Sequence, residues 1–450
     1  MAVMAKTAVR FVCNNCGAET PKWSGRCSNC GEWNTLEQQI DARSGEAQAA
    51  KSGRTLSATP ITRIKLTAKH NRLPTGISEV DLVLGGGVVP ASVVLLAGEP
   101  GIGKSTLLTQ LANNLAKDAP VLYVSAEESA EQIYQRAQRL GAANPNFQLA
   151  NSTSTDDIIA TMHEAKLALV IVDSIQTIAT EQVSTAPGSP SQISSSAQLL
   201  IRAAKLTNTA LVLVGHVTKE GNIAGPKLLE HLVDVVLNLE GDRYGGFKLL
   251  RGIKNRYGST NEAGVFEMTE TGLKPIDNPS AALLKERQVS DGSVVLACLE
   301  GTRPLLVEVQ ALVNKTAFGY PKRAASGFDL NRLNLLIAML SRRTKLNLSE
   351  HDVYVNIVGG MRIAEPAADL AVCMAVASAS KGMQLKGDAV VFGEVGLSGE
   401  VRHVQMADAR VAEAKKLGFK SAIGPKLPKA DKFVDSVSTV REALNSYLSK

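Results

Sequence analysis

The sequence predicts an α/β protein: a mostly parallel sheet carrying a phosphate-binding loop, preceded by a small four-cysteine module and followed by an α+β domain. Three observations predict it. Between residues 65 and 278, short Val/Ile/Leu runs alternate with amphipathic stretches, as strands buried on both faces do when helices connect them. The segment GEPGIGKST, Gly98–Thr106, matches G-x4-G-K-[ST] between a predicted strand and a predicted helix. Four cysteines fall as two Cys-x2-Cys pairs near the start of the chain.

Size and composition narrow the classes. A chain of 450 residues, 44% hydrophobic and 20% charged, is long enough for two or three domains with real cores. Aromatics make up only 4%, which argues against an extended base-stacking platform. A net charge of +6 permits a nucleic-acid partner without requiring one. No apolar run approaches the roughly 18 residues of a membrane span. The opening MAVMAKTAVRFVCNNC lacks the apolar core of a secretory signal. A cytoplasmic protein with no membrane partner is expected, so its six cysteines should not form disulfides. Cys298 and Cys373 stand in apolar company and read as core.

The first element, residues 10–35, is the cysteine module. Cys13, Cys16, Cys27 and Cys30 offer four thiolates in two knuckles, the ligand set of a tetrahedral Zn2+ site. Gly17 and Gly31 suit the tight turns behind each knuckle. So small a module has almost no core, and zinc would supply most of its folding energy. Trp23 and Trp33 are either small-core or contact residues. Residues 36–64, polar and rich in Ala, Ser and Gly, read as a linker.

The second element, 65–278, is the phosphate-loop domain. Strands are predicted at 92–98, 121–128, 167–174 and 210–216, with further strands in LVDVVLNLEG and GFKLLRGIKNR. Helices are predicted at 104–117, 129–140 and near 192–206. The loop itself, Gly98, Glu99, Pro100, Gly101, Ile102 and Gly103, would hold ATP, its glycines letting backbone N–H groups approach the phosphates. Lys104 reaches the β- and γ-phosphates, while Ser105, followed by Thr106, ligates Mg2+ at a helix N-terminus. Asp173 ends the strand LVIVD and fits a second Mg2+ contact, directly or through water. Glu127 ends the neighbouring strand and could activate the attacking water, with Glu128 as competitor. His216 ends the next strand and is either a γ-phosphate sensor or a capped polar residue. Two Ser/Gly/Pro-rich loops, 184–196 and 218–227, stand out. In IKNRYG, Lys254 and Arg256 alternate and would share one face of a strand.

The third element, 279–450, mixes strands (GSVVLACLEG, PLLVEVQALV, DVYVNIVGG) with helices at 330–343 and near 366–381. Its cations Arg303, Lys315, Lys322, Arg323, Arg342 and Arg343 suggest a phosphate-tracking surface.

TGISEVDLVLGGGVVPASVVLLAGEPGIGKST, VSAEES, VIVDSIQT and VLVGHVTKEG resemble the RecA-like P-loop ATPase core. Their order behind a four-Cys module and ahead of KNRYG and a third domain resembles the bacterial RadA (Sms) family of DNA repair proteins, over essentially the whole chain. Tyr257 stands where the family's five-residue motif usually has Phe. The resemblance implies a hexameric, DNA-stimulated ATPase with helicase-type activity. It implies single-stranded and branched DNA as substrates, promotion of branch migration, and work beside the RecA recombinase. In such a ring, Lys254 and Arg256 would reach the neighbouring subunit's ATP, with a DNA contact or a purely structural role as the alternatives. The loops 184–196 and 218–227, with Lys219 and Lys227, correspond to DNA-binding loops. The third domain resembles the Lon-protease-like (ribosomal S5 domain 2-like) fold. There, Ala367 replaces the nucleophilic serine and Asp408 the lysine, so proteolysis is not expected. Competing readings are an ATP-dependent protease using Ser378 or Ser398, and a nucleotide-regulated scaffold or kinase.

Overall fold

The computed structural model describes residues 10–39, 59–60, 72–216, 228–241, 247–317 and 319–448. The chain divides into two units, Met1–Thr67 and Ala68–Lys450. In the first, β1 (Arg10–Cys13), β2 (Glu19–Thr20) and β3 (Leu36–Gln39) form an antiparallel sheet ordered β2-β1-β3. The sequence places Leu36–Gln39 at the start of a linker. Instead the segment pairs with the whole of β1 and closes the module. Leu36 is the cause: it is buried with Cys13 and Cys27, in a cluster with room for few apolar side chains. Of the expected linker, residues 40–58 and 61–64 lie outside the described residues.

The second unit carries two large sheets. The first contains β4 (Val93–Gly98), β5 (Val121–Ser125), β6 (Phe147–Asn151), β7 (Leu169–Asp173), β8 (Ala210–His216), β9 (Val235–Glu240), β10 (Phe247–Asn255), β11 (Ala263–Thr269) and β12 (Gly272–Pro275). Their order is β12-β11-β10-β9-β4-β8-β7-β5-β6. The strands from β4 to β9 pair in parallel, and the last three add as an antiparallel edge. Helices α1 (Ser78–Leu84), α2 (Lys104–Leu115), α3 (Ala130–Arg139), α4 (Thr155–Glu164) and α5 (Pro190–Thr207) accompany them. Alternation along β4 builds two cores. Val94 and Leu96 pack with Leu107 and Leu111 of α2. Val93 and Leu95 pack with Ile158 of α4 and Ile193 and Leu200 of α5. A strand buried on both faces therefore reads as a continuous apolar run.

The Ser-rich stretch 184–196 is not all loop. Ser189 caps α5 by accepting from the Gln192 N–H, and Pro190 occupies the first turn, where a missing N–H does no harm. Gln192 is buried, and its amide ties down the preceding segment. Its Nε2 donates to the carbonyls of Thr180, Val183 and Thr185, and its Oε1 accepts from Thr180 N. The second loop, 218–227 with Lys219 and Lys227, lies outside the described residues.

The other sheet contains β13 (Ser293–Glu300), β14 (Arg303–Lys315), β15 (Arg323–Ser326), β16 (His351–Ile357), β17 (Ala389–Val391), β20 (Ser421–Gly424) and β21 (Val434–Ser436). Their order is β15-β16-β14-β13-β17-β20-β21, with β18 (Glu394–Val395) and β19 (Val401–Arg402) as a separate pair. Helices α6 (Pro279–Leu284), α7 (Leu330–Arg343), α8 (Asp369–Lys381), α9 (Ala407–Lys416) and α10 (Val440–Tyr447) complete it. Helix α8 is apolar nearly all round, and Leu370–Ala377 are fully buried, as a central core helix requires. Cys298 and Cys373 are both in this core.

The β13–β14 turn joins the two sheets. Arg303 pairs with Glu79 of α1 at 2.6 Å, and Arg251 of β10 donates to Glu300 at 2.8 Å. Thr302 N donates to Asn261 O at 2.6 Å. Arg303, expected on a phosphate-tracking surface, is instead a half-buried cation held by Glu79.

Candidate nucleotide site and metal site

Open parallel sheets bind ligands beyond the carboxyl ends of their strands. Here β4, β5, β7 and β8 all end at one edge, with Gly98 opposite His216 and Ser125 opposite Asp173. The phosphate loop leaves β4 at that edge. Gly101 and Gly103 have φ of 78° and 115°, a region L side chains seldom enter. A Cβ on Gly103 would also lie 2.7 Å from the Met268 side chain. Gly103 is the N-cap of α2 and offers no side chain to the first-turn amides, which leaves them for an anion. Lys104 is 4% exposed, and its Nζ donates to the carbonyls of Gly98 and Glu99 at 2.8 and 3.0 Å. Burial lowers its pKa to about 8, against the pull of Asp173 and Glu127.

Ser105 Oγ donates to Asp173 Oδ2 at 2.7 Å, and the Tyr123 phenol donates to the same oxygen at 2.5 Å. The Asp173–Ser174 peptide is cis. Glu127 Oε1 accepts from Ser174 Oγ at 2.5 Å and lies 3.4 Å from His216 Nε2. Glu128 faces elsewhere, accepting from Arg136 of α3 at 2.5 Å. Neither ring nitrogen of His216 nor Oε1 of Gln176 makes a hydrogen bond among the described residues, though all three atoms are buried. Such orphans at the mouth of a phosphate loop fit a γ-phosphate and its attacking water. The donor set of Ser105 and Asp173, one hydroxyl and one carboxylate, fits the hard-oxygen preference of Mg2+.

Lys104, Ser105, Glu127, Asp173 and His216 thus converge. Lys254 and Arg256 do not join them. Lys254 pairs with Val236 and Asn255 with Val235, beside the start of β4, whereas Gly98 is opposite Leu239. That is several residues of strand, on the order of 15 Å from the loop. A register shift between Gly252 and Lys254 and the end of β10 at Asn255 also break simple strand alternation. Both cations nevertheless reach one segment. Lys254 Nζ donates to the carbonyls of Glu230 and Val233 at 2.7 and 2.8 Å, and Arg256 pairs with Asp234 at 3.0 Å. Asn255 braces the turn, donating to Val83 O and Leu84 O and accepting from Tyr257 N.

In the first unit the four Sγ atoms lie within 4.8 Å of one another, with Cys13–Cys30 at 3.6 Å and Cys16–Cys27 at 3.7 Å. Tetrahedral zinc at about 2.3 Å from each sulfur needs sulfurs about 3.8 Å apart, so the set fits. Gly17 N and Gly31 N donate back to Cys13 O and Cys27 O, giving two matching knuckles. Asn29 donates to Cys16 Sγ, the kind of outer contact that orients a ligand. Trp23 and Trp33 are 59% and 67% exposed and form no core.

In the third domain Ala367 is buried within a short turn, Pro366–Ala368, and Asp408 is exposed on α9. The neighbouring buried cation is Arg410, which clasps Glu365 through its two terminal guanidinium nitrogens at 2.9 and 2.6 Å and donates to Ala297 O. Ser378, a candidate protease nucleophile, is buried with its hydroxyl bonded to Met383 O and Gly292 N.

A phosphate loop on a central parallel strand, with Asp173 ending β7 and Glu127 just past β5, defines a RecA-like ATP-hydrolysing enzyme. An AAA domain model matches residues 60–222, a rubredoxin metal binding domain model 11–38, and a model of subunit ChlI of Mg-chelatase 333–427. DNA repair protein RadA of Pseudomonas aeruginosa is 46% identical over 98% of this chain and 99% of its own length. Those of Brucella abortus and Bacillus subtilis are 48% and 45% identical, covering 94% and 99% of this chain and 92% and 100% of their own. The chain belongs to the RadA family of DNA repair proteins, with a four-Cys zinc module before the ATPase core and a Lon-like domain after it.

Proposed function

We propose that this chain is a DNA-dependent ATPase with helicase-type motor activity. It processes recombination intermediates, promoting branch migration of strand-exchange products made by a RecA recombinase. It acts as a cytoplasmic homohexamer on single-stranded and branched DNA. The observation that carries this reading is the convergence of Lys104, Ser105, Asp173 and Glu127 in a chain whose relatives are DNA repair proteins. Lys104 trades its loop carbonyls for the phosphates of ATP. Ser105 and Asp173 would hold Mg2+, which when bound would neutralise charge on the phosphates. Glu127, steadied by Ser174, orients the attacking water and takes its proton. Glu128, engaged by Arg136, is not the base. The segment leading into α5, the loop 218–227 and the third-domain cations Lys315, Lys322, Arg323, Arg342 and Arg343 grip the DNA backbone. The third domain keeps the fold without the protease dyad: Ala367 offers no nucleophile where the serine would stand, and Ser378 is committed to backbone.

The test is the ATPase rate with and without single-stranded DNA, alongside movement of a labelled branch. DNA should stimulate hydrolysis and the branch should move. Lys104→Ala should lose at least about 100-fold in turnover. Hydrolysis indifferent to DNA would leave the scaffold or kinase reading, and native turnover in Lys104→Ala would remove the nucleotide assignment.

A further inference from the structure

Asp173 Oδ2 receives two hydroxyl donors from two different elements. Ser105 Oγ comes from α2 at 2.7 Å and Tyr123 Oη from β5 at 2.5 Å. Strands β5 and β7 are neighbours, and Tyr123 lies opposite Ile171, two residues before Asp173. Both side chains therefore rise from the same face of the sheet. The Tyr123 ring is fully buried and meets Phe147 edge-on, with centroids 6.4 Å apart. A ring so held has no freedom to follow a moving partner, so its hydroxyl marks one fixed point for the carboxylate.

We propose that Tyr123 is a positioning residue for magnesium binding. Its phenol pins Asp173 so that the carboxylate stays in place while Ser105 Oγ turns its lone pairs to the metal. Ser105 has a single proton. As a ligand it can still give that proton to Asp173, but it can no longer be the only group fixing the carboxylate. This rests on the reading of Ser105 and Asp173 as the magnesium pair. In an apolar strand such as VLYVS a tyrosine reads as core, and its ring is core. The hydroxyl carries the additional role.

The experiment is Tyr123→Phe in the full chain, which keeps the ring and removes one oxygen. Calorimetric binding of ADP is measured without metal and across a Mg2+ series. Without metal, the affinity should equal that of the native protein. The Mg2+ concentration giving half of the metal-dependent gain should rise about tenfold, as loss of an outer-shell partner does. The Mg2+ midpoint of ATP hydrolysis should move in parallel, with turnover at saturating Mg2+ within about threefold of native. A binding midpoint within about twofold of native overturns the proposal. Loss of a cooperative thermal transition in Tyr123→Phe also overturns it, because the hydroxyl would then serve folding. Asp173→Asn separates the premise. If that variant keeps the native Mg2+ response, the magnesium pair itself is misassigned. If it loses the response while Tyr123→Phe keeps it, only the role of Tyr123 fails.

Discussion

Lys104 shows how one residue's burial becomes a measurable property. Its ammonium is out of water, and two loop carbonyls solvate it only partly, so its pKa falls to about 8. Phosphates of a bound nucleotide favour the charged form and raise that value again. At pH 8 the free site is about half deprotonated, so binding ADP should take up about half a proton. At pH 6.5 the lysine is already charged and its uptake should vanish. The measurement is calorimetry in two buffers of different ionisation enthalpy, and no proton uptake at pH 8 would contradict the depressed value. The sequence makes Lys104 legible because phosphate chemistry fixes its spacing from Gly98 and Gly103. It does the same for the four cysteines. Tyr123, Gln192, Arg303 and Arg410 were not legible. Each takes its meaning from a partner distant in sequence: Asp173, the Thr180–Thr185 backbone, Glu79 and Glu365. No local pattern announces such partners.

At the scale of elements, the joint between the two sheets rests on the β13–β14 turn. Glu300 accepts from Arg251, yet burial raises its pKa to about 7; Glu240 and Glu365 push the same way and Arg251 opposes them. The sign follows from linkage. A carboxyl whose folded pKa lies above its unfolded 4.5 stabilises the fold fully below that value. This contribution is lost as pH rises toward about 7. Glu300→Gln keeps an acceptor for Arg251 without the titration. The melting temperature of the native protein minus that of Glu300→Gln should therefore fall by about 2–4 °C between pH 5 and pH 7.5. A difference that is flat with pH would mean Glu300 is ionised throughout. The strands and helices were largely legible, since parallel strands buried on both faces announce themselves as apolar runs. The joint was not, because a Glu and an Arg at a strand turn read as solvated. Likewise the start of α5 was hidden by a run of residues that favour loops; Ser189, Pro190 and the buried Gln192 decide it.

For the whole molecule, the placement of Lys254 and Arg256 bears on how many subunits make one site. Both lie at the end of the sheet away from their own phosphate loop, and both are held by the segment 230–234. In this arrangement neither side chain reaches the phosphate loop of its own chain. In a closed ring of heterologous contacts, one edge of each core faces the opposite edge of the next. A cation at the far end of one core would then meet the neighbour's γ-phosphate, with Arg256 leaving Asp234 and Lys254 leaving its two carbonyls. The prediction concerns mixed assemblies. Lys104→Ala removes a subunit's own phosphate grip, and Lys254→Ala removes what it offers to its neighbour. Each variant alone should be inactive. After dissociation and reassembly at equal amounts, about a quarter of the interfaces pair an intact loop with an intact cation. Hydrolysis should return to about that fraction of native. A mixture as inactive as its parts would place Lys254 in cis or on DNA, and the ring would then be an assembly of complete, separate sites.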